Sequence, residues 1–251
     1  MASYPIAGVR IDESLVIPPR DIDDTNPSDS TPLVVLRVDD NMPTDPPFTS
    51  RLIARGIPAE IAVPTASVGD DGRPTWDDLH RLEAAGFGIV AHSRHHVSTT
   101  TDGVDFMGEV LGSLSDLSQH GFASRVFVQP GVWTGSIFFD SVAKTRNWRG
   151  ALFRTFSSAS ELYQIDVPLL RPWAPGRIGI SHRTISDGAT QQDLQFLWQR
   201  VLRRNYLTVL LVHTLHVQPV NTLDWFLDSL AVANQDGRIR LMRSIDDALA
   251  K

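Results

Sequence analysis

Cysteine is absent from the chain, and that omission removes disulfides, thiolate zinc sites and cysteine nucleophiles together. Any metal must then be held by histidine and carboxylate. Lysine is scarce: Lys144 and Lys251 are the only two among 23 basic residues, a compositional bias from which no function follows. No window reaches ~18 uncharged apolar residues, so no membrane span is expected. The opening Met1-Ala2-Ser3-Tyr4-Pro5 has no basic region leading into an apolar core, so no secretory signal is visible. The expectation is a cytoplasmic protein, or one carried in a larger assembly such as a phage particle. An excess of positive charge is also missing. The net charge is −6: residues 1–40 hold eight acids and three arginines (−5), and the other 211 residues hold 21 acids and 20 bases (−1). A nearly neutral body argues against nucleic acid as a partner.

What is present is ordinary for a soluble globular chain: 251 residues, 42% apolar and 21% charged. That length buries one large α/β core or two small ones. Residues 1–31, with Ile17-Pro18-Pro19 and Asp23-Asp24-Thr25-Asn26-Pro27, read as an irregular acidic lead-in, and 32–251 as one domain. From Leu33 the pattern alternates strand and helix. Strands are expected over 34–38, 59–63, 88–91, 124–128, 206–212 and 238–242. Helices are expected over 47–55, 76–85, 103–120, 136–146, 191–204 and 223–234, with one more at the terminus. The Pro-, Gly- and Arg-rich stretch 150–182 should hold one or two strands. Strand–helix alternation at this spacing means parallel βαβ units, and about seven such strands imply a distorted (β/α) barrel. In barrels of this kind chemistry collects at the rim formed by the C-terminal strand ends.

Three expected strand ends are conspicuously polar: Asp39-Asp40, His92-Ser93-Arg94-His95-His96 and His213-Thr214-Leu215-His216. Adjacent carboxylates repel, and desolvating them is costly unless something positive compensates. A divalent metal would do so, ligated by one carboxylate while the other remains a base; a solvated Asp-Asp turn is the alternative. His92 and His96, spaced i and i+4, would share one side of a helical turn with a cation between them. Two histidines and one aspartate form a three-ligand zinc set with an open position; a solvated polar loop is the alternative. His95 points elsewhere on such a turn. His80 and His120 read as structural, His182 as a loop residue that could touch substrate, and His216 as a rim or solvated residue.

These segments resemble the polysaccharide deacetylase family, the NodB-homology carbohydrate esterases, over roughly residues 33–250. Arg37-Val38-Asp39-Asp40-Asn41 resembles that family's Thr-Phe-Asp-Asp-Gly motif, with Asn41 in place of glycine. His92-Ser93-Arg94-His95-His96 meets its His-Ser/Thr-x-x-His motif, and Leu211-Val212-His213 its Leu-x-His motif. Arg55-Gly56-Ile57-Pro58-Ala59 and Thr75-Trp76-Asp77-Asp78-Leu79 also fit. The resemblance implies Asp39 as general base, His213 as general acid, and Asp40, His92 and His96 as ligands of a divalent metal, zinc being the one implied. It implies a metal-dependent N-deacetylase acting on an N-acetylated amino-sugar polymer or oligosaccharide.

One motif departs from the pattern. The family's Arg-x-Pro-Tyr element, whose arginine orients the catalytic aspartate, corresponds here to Val128-Gln129-Pro130-Gly131, so that arginine is replaced by valine. A positive neighbour favouring ionised Asp39 is thereby lost; Arg37, Arg94 and Arg171 are the arginines that could stand in, and spacing selects none of them. Gly131 offers an N–H to an oxyanion and Trp133 a sugar-stacking wall. Leu170-Arg171-Pro172-Trp173 is the nearest counterpart of the family's Asp/Trp element, making Arg171 and Trp173 candidate substrate contacts. The departure keeps two alternatives open: a glycan-binding pseudoenzyme with a retained metal site, and a small-molecule amidohydrolase on the same scaffold. The sequence leaves the oligomeric state undefined.

Overall fold

Strand β1, Leu33–Asp39, is buried along its whole length and occupies the middle of the sheet. Its composition dictates this, since an aliphatic, β-branched run can cover itself on both faces only inside a parallel sheet. The computed structural model describes residues 31–97, 105–124, 126–128, 130, 155–157, 166–168, 178–180, 182–185, 189–203, 206–214 and 221–249. The acidic lead-in expected over 1–31 and the helix expected over 136–146 lie outside these, except Thr31.

After β1 come helix α1 (Asp45–Ile53), β2 (Glu60–Val63), α2 (Trp76–Ala84), β3 (Gly88–Ala91), α3 (Phe106–Gln119) and β4 (Val126–Val128). Then follow β5 (Thr155–Ser157), β6 (Asp166–Pro168), β7 (Ile178–Ile180), β8 (Arg183–Ile185), helix α4 (Gln191–Val201) and β9 (Tyr206–Val212). Helix α5 (Asn221–Gln235), β10 (Arg240–Met242) and α6 (Ile245–Leu249) complete the chain. Helix starts are legible: Pro46 and Pro47 lie in the first turn of α1, and Thr75/Asp78 and Thr190/Asp193 form reciprocal capping boxes at α2 and α4. Where one or two strands were expected over 150–182, the described residues form three, β5 to β7. Each has only three residues, too short for a periodic pattern to register.

Parallel pairing runs β7-β5-β4-β3-β2-β1-β9, with β8 parallel to the second half of β9. Strand β6 pairs antiparallel with the first half of β9, and β10 lies beside the first half of β1. The edge strands β7 and β8 are separated in sequence only by residues 181 and 182, so the sheet curls until its two edges nearly meet. This is the distorted (β/α) barrel expected from the sequence.

Alternation along β1 divides the core. Val34, Leu36 and Val38 pack with Phe48 and Leu52 of α1, Leu79 of α2 and Leu227 of α5. Leu33 and Val35 face the concave side with Val90, Val126, Val128, Leu207 and Val209, and Ile245 and Ala248 of α6 join this second cluster. Arg37 and Asp39 continue that inner row, so the apolar filling gives way to charge toward the C-terminal rim. No helix among the described residues is long and apolar enough to cross a membrane.

Candidate metal centre

At the end of β1 the backbone turns left-handed: Asp40 has φ +83° and Asn41 φ +50°. Ser93 (φ +61°) and His96 (φ +55°) do the same after β3, so four of the five described non-glycine residues with positive φ lie at one rim. Such conformations are unfavourable for L-residues and persist only where their surroundings enforce them. Here Asp40 N–H donates to the Ala62 carbonyl at 3.1 Å, and Arg73 Nη1 donates to the Asp40 and Asn41 carbonyls at 2.7 and 3.2 Å. Asn41 tolerates its left-handed site in the usual manner of asparagine and donates from Nδ2 to the Pro74 carbonyl at 3.2 Å. Strand alternation would send Asp40 to the helix-covered face after Val38; the turn redirects it to the rim.

There it meets both histidines. Asp40 Oδ1 lies 3.1 Å from His92 Nε2 and 2.8 Å from His96 Nε2. The ligand atoms of the three side chains lie within 4.8 Å of one another. His92 is buried, and its Nδ1 lies 2.9 Å from the Val128 carbonyl. A carbonyl only accepts, so Nδ1 carries the hydrogen and Nε2 turns toward the carboxylate. A lone pair and a carboxylate oxygen do not face each other without a proton or a cation between them. Two imidazole nitrogens and one carboxylate oxygen suit a borderline divalent ion such as zinc, so the residues present fit the metal that the resemblance implies. Burial alone would raise the pKa of Asp40, yet the hydrogen bonds and charges of His92 and His96 hold it well below the carboxylate range. Burial disfavours a charged His92, but the Asp40 hydrogen bond and the charges of Asp39 and Asp40 outweigh it, and its pKa is raised.

The helical turn expected for His92–His96 is not formed; the segment is an irregular loop. Tertiary contacts override the local spacing: Thr65 and Ala66 N–H donate to the Ser93 and Arg94 carbonyls at 3.2 and 2.8 Å. Glu109 Oε2 of α3 accepts from the Arg94 and His95 amides at 3.0 and 2.8 Å. The His92 and His96 rings still converge, with centroids 4.9 Å apart. His95 points to Glu109, with Nδ1 2.7 Å from Oε1, and so stays out of the cluster as expected.

His213, just past β9, brings Nε2 to 3.8 Å from Asp40 Oδ2. Its neighbour Thr214 donates to Asp45 Oδ1 and lies 2.6 Å from Thr44 Oγ1, tying the end of β9 to the start of α1. Asp45 also accepts from the Met42 amide at 2.8 Å. Burial, reinforced by the charges of Asp40 and Asp39, pushes the Asp45 carboxyl up to about 7, although its hydrogen bonds oppose this.

Asp39 is buried, and Arg37 Nε lies 3.0 Å from its Oδ1. Of the three arginines weighed as substitutes for the motif arginine, two are described: Arg37 stands at Asp39, whereas Arg94 Nε pairs with Asp116 at 3.1 Å. The signal was available, because residues i and i+2 of a strand share a face. His182, expected on a loop facing substrate, is buried with Nδ1 3.0 Å from Arg37 Nη2. The near-closure of the barrel between β7 and β8 carries it inward. His120 stacks on Trp76 at 3.8 Å and His80 on Phe122 at 4.3 Å, in keeping with structural roles. Gly131, Trp133, Arg171, Trp173 and His216 lie outside the described residues. Asp45, Glu60 and Arg73 were not foreseen as neighbours of the site; no local pattern marks them.

No family model matches the chain, and no curated protein matches it. Solved structures do match. A T48 deacetylase with substrate is similar over 88% of this chain and 92% of its own, at 17% identity and a TM-score of 0.54. A family 4 carbohydrate esterase from Streptomyces lividans in complex with acetate covers 84% of this chain and 91% of its own, at 16% identity and a TM-score of 0.52. PuuE allantoinase covers 93% and 97%, at 11% identity and a TM-score of 0.64. At such identities the likeness is one of fold: the chain has the barrel of NodB-type deacetylases.

Proposed function

We propose that the protein is a metal-dependent hydrolase that removes N-acetyl groups from an amino-sugar polymer or oligosaccharide. The observation that supports this reading best is the meeting of Asp40, His92 and His96, from two separate strand ends, with Asp39 and His213 beside them. Asp40 Oδ1, His92 Nε2 and His96 Nε2 would hold the metal, zinc by the chemistry of the set. When bound, the metal supplies Lewis acidity toward the acetamide carbonyl and the attacking water. Asp39 accepts a proton from that water as it attacks, and protonated His213 donates one to the departing amine. Val128 fixes the His92 tautomer, and the Glu109 clamp on the Arg94 and His95 amides holds the loop that presents His96. Gly131 N–H toward the oxyanion, and Trp133, Trp173 and Arg171 toward the sugar, complete the proposed site.

Purified protein supplied with zinc should release acetate from chitooligosaccharides, peptidoglycan or another N-acetylated glycan, and Asp40→Ala should abolish both metal binding and release. No acetate from any of these, together with unchanged metal content in Asp40→Ala, would remove the proposal.

A second reading is a small-molecule amidohydrolase acting on a ureide-like ring. The likeness to PuuE allantoinase, with its TM-score of 0.64 over 93% of this chain, favours it. Ring opening of a ureide without acetate release from any glycan would decide for it. Arg37 beside Asp39 speaks for turnover, and so against a glycan-binding chain without activity.

A further inference from the structure

We propose that Arg37, held by His182, is the positioning residue that keeps Asp39 in place as the base, in a role the Val128 position cannot fill. This rests on the hydrolase reading above. Leu33 and Val35 precede Arg37 on the same inner row of β1, and both are apolar and buried. Packing alone would be served by another aliphatic residue there. Instead the row contains a guanidinium with no exposed side-chain surface, and burying one is costly unless its charge and donors are matched.

The charge is matched along the strand by an ion pair, Arg37 Nε standing 3.0 Å from Asp39 Oδ1, a contact without the alignment of a hydrogen bond. At its far end, Nη2 stands 3.0 Å from His182 Nδ1. Arginine only donates, so Nδ1 of His182 is the acceptor, and the imidazole holds the guanidinium from the segment between β7 and β8. Across the sheet the register partner of Arg37 is Glu60, fully buried, whose Oε2 accepts from the Ile245 amide at 3.2 Å. Asp39 is thus faced by Arg37 on its own strand, Glu60 on β2, His92 after β3 and Asp45 on α1. Arg37 is the permanent cation among these groups. No atom of Arg37 needs to touch substrate, so its effect on the reaction passes through the orientation of Asp39.

Two pairs of variants test this on the full-length, zinc-loaded protein: Arg37→Gln against Arg37→Lys, and His182→Ala against His182→Asn. Arg37→Gln should lower kcat by about 100-fold or more, the scale of a general-base contribution. KM and bound zinc per chain should stay within about twofold, because the ligands are elsewhere. Arg37→Lys, which keeps a cation, should recover at least about tenfold of the loss. His182→Ala should lower kcat by roughly tenfold, and His182→Asn, which keeps an acceptor, should restore most of it. If Arg37→Gln does not fold, the His182 pair, which leaves the buried charges in place, decides alone. The proposal is overturned by a kcat within threefold of wild type in Arg37→Gln or His182→Ala. It is equally overturned by a lysine variant no better than glutamine, or by losses that follow zinc content. Wild-type protein that hydrolyses neither N-acetylated glycans nor ureides overturns the parent reading, and this proposal with it.

Discussion

His92 commits Nδ1 to the Val128 carbonyl at 2.9 Å, and its other ring nitrogen is thereby aimed at Asp40. The strand that carries Val128 where the resembled motif has arginine still sets the tautomer of a proposed ligand through its backbone. A main-chain acceptor is indifferent to the side chain it carries, which is why the valine is compatible with a working centre.

Zinc affinity should therefore discriminate among the clustered histidines. His92→Ala and His96→Ala should each weaken binding by about 100-fold or more, and His95→Ala by about tenfold or less. Glu109→Ala, which frees the Arg94 and His95 amides, should cost about 10–100-fold, the usual scale for a group that supports a ligand from behind. Competition titration against a chromophoric chelator measures all four. Equal losses at His95 and His96 would contradict the assignment.

Glu60 makes stability depend on pH. Burial, with the charges of Asp39 and Asp246, raises its carboxyl from 4.5 to about 7, although Arg37 and the Ile245 amide oppose this. A folded-state pKa above the unfolded value means that the native state holds the proton longer. The stability it contributes is complete below pH 4.5 and is lost as pH rises toward 7. Glu60→Gln should flatten that decline in urea midpoints recorded from pH 4.5 to 8. Asp45 has a slope of the same sign, so the flattening should be partial. An unchanged slope would exclude Glu60 as a source.

Thr214→Val removes a hydroxyl that bonds Asp45 and Thr44 while keeping the shape of the side chain. Leaving the buried Asp45 carboxyl with one partner fewer should lower stability by about 1–3 kcal/mol. Because His213 is the adjacent residue, kcat should fall as well, with zinc content unchanged. Calorimetric unfolding and steady-state kinetics on the same preparation separate the two effects.

Gly88 begins β3 where the chain passes the turn after β10. A Cβ there would stand 2.5 Å from the Arg243 carbonyl oxygen and 2.9 Å from Ser244 Cβ. Backbone cannot move aside as a side-chain tip can, so Gly88→Ala should destabilise by about 1–3 kcal/mol. The proposed metal site should be unaffected in whatever fraction folds. A thermal midpoint equal to wild type would refute this.

The sequence alone determined the order of long strands and helices, because hydrophobic periodicity and capping are local properties. It also singled out the side chains proposed for the chemistry: Asp39, Asp40, His92, His96 and His213 stand at strand ends, and parallel βαβ order sends such ends to one rim. Only the tertiary structure decided how they meet. The 92–96 segment abandons the helical turn its spacing favours because Thr65, Ala66 and Glu109 claim its backbone groups. Arg37, not Arg94, reaches Asp39, and His182 turns inward to hold it, because the curl of the sheet brings together residues 145 positions apart. Strands of three residues and buried partners such as Glu60 leave no periodic trace. Their positions are set by long-range packing, which no local window of residues contains.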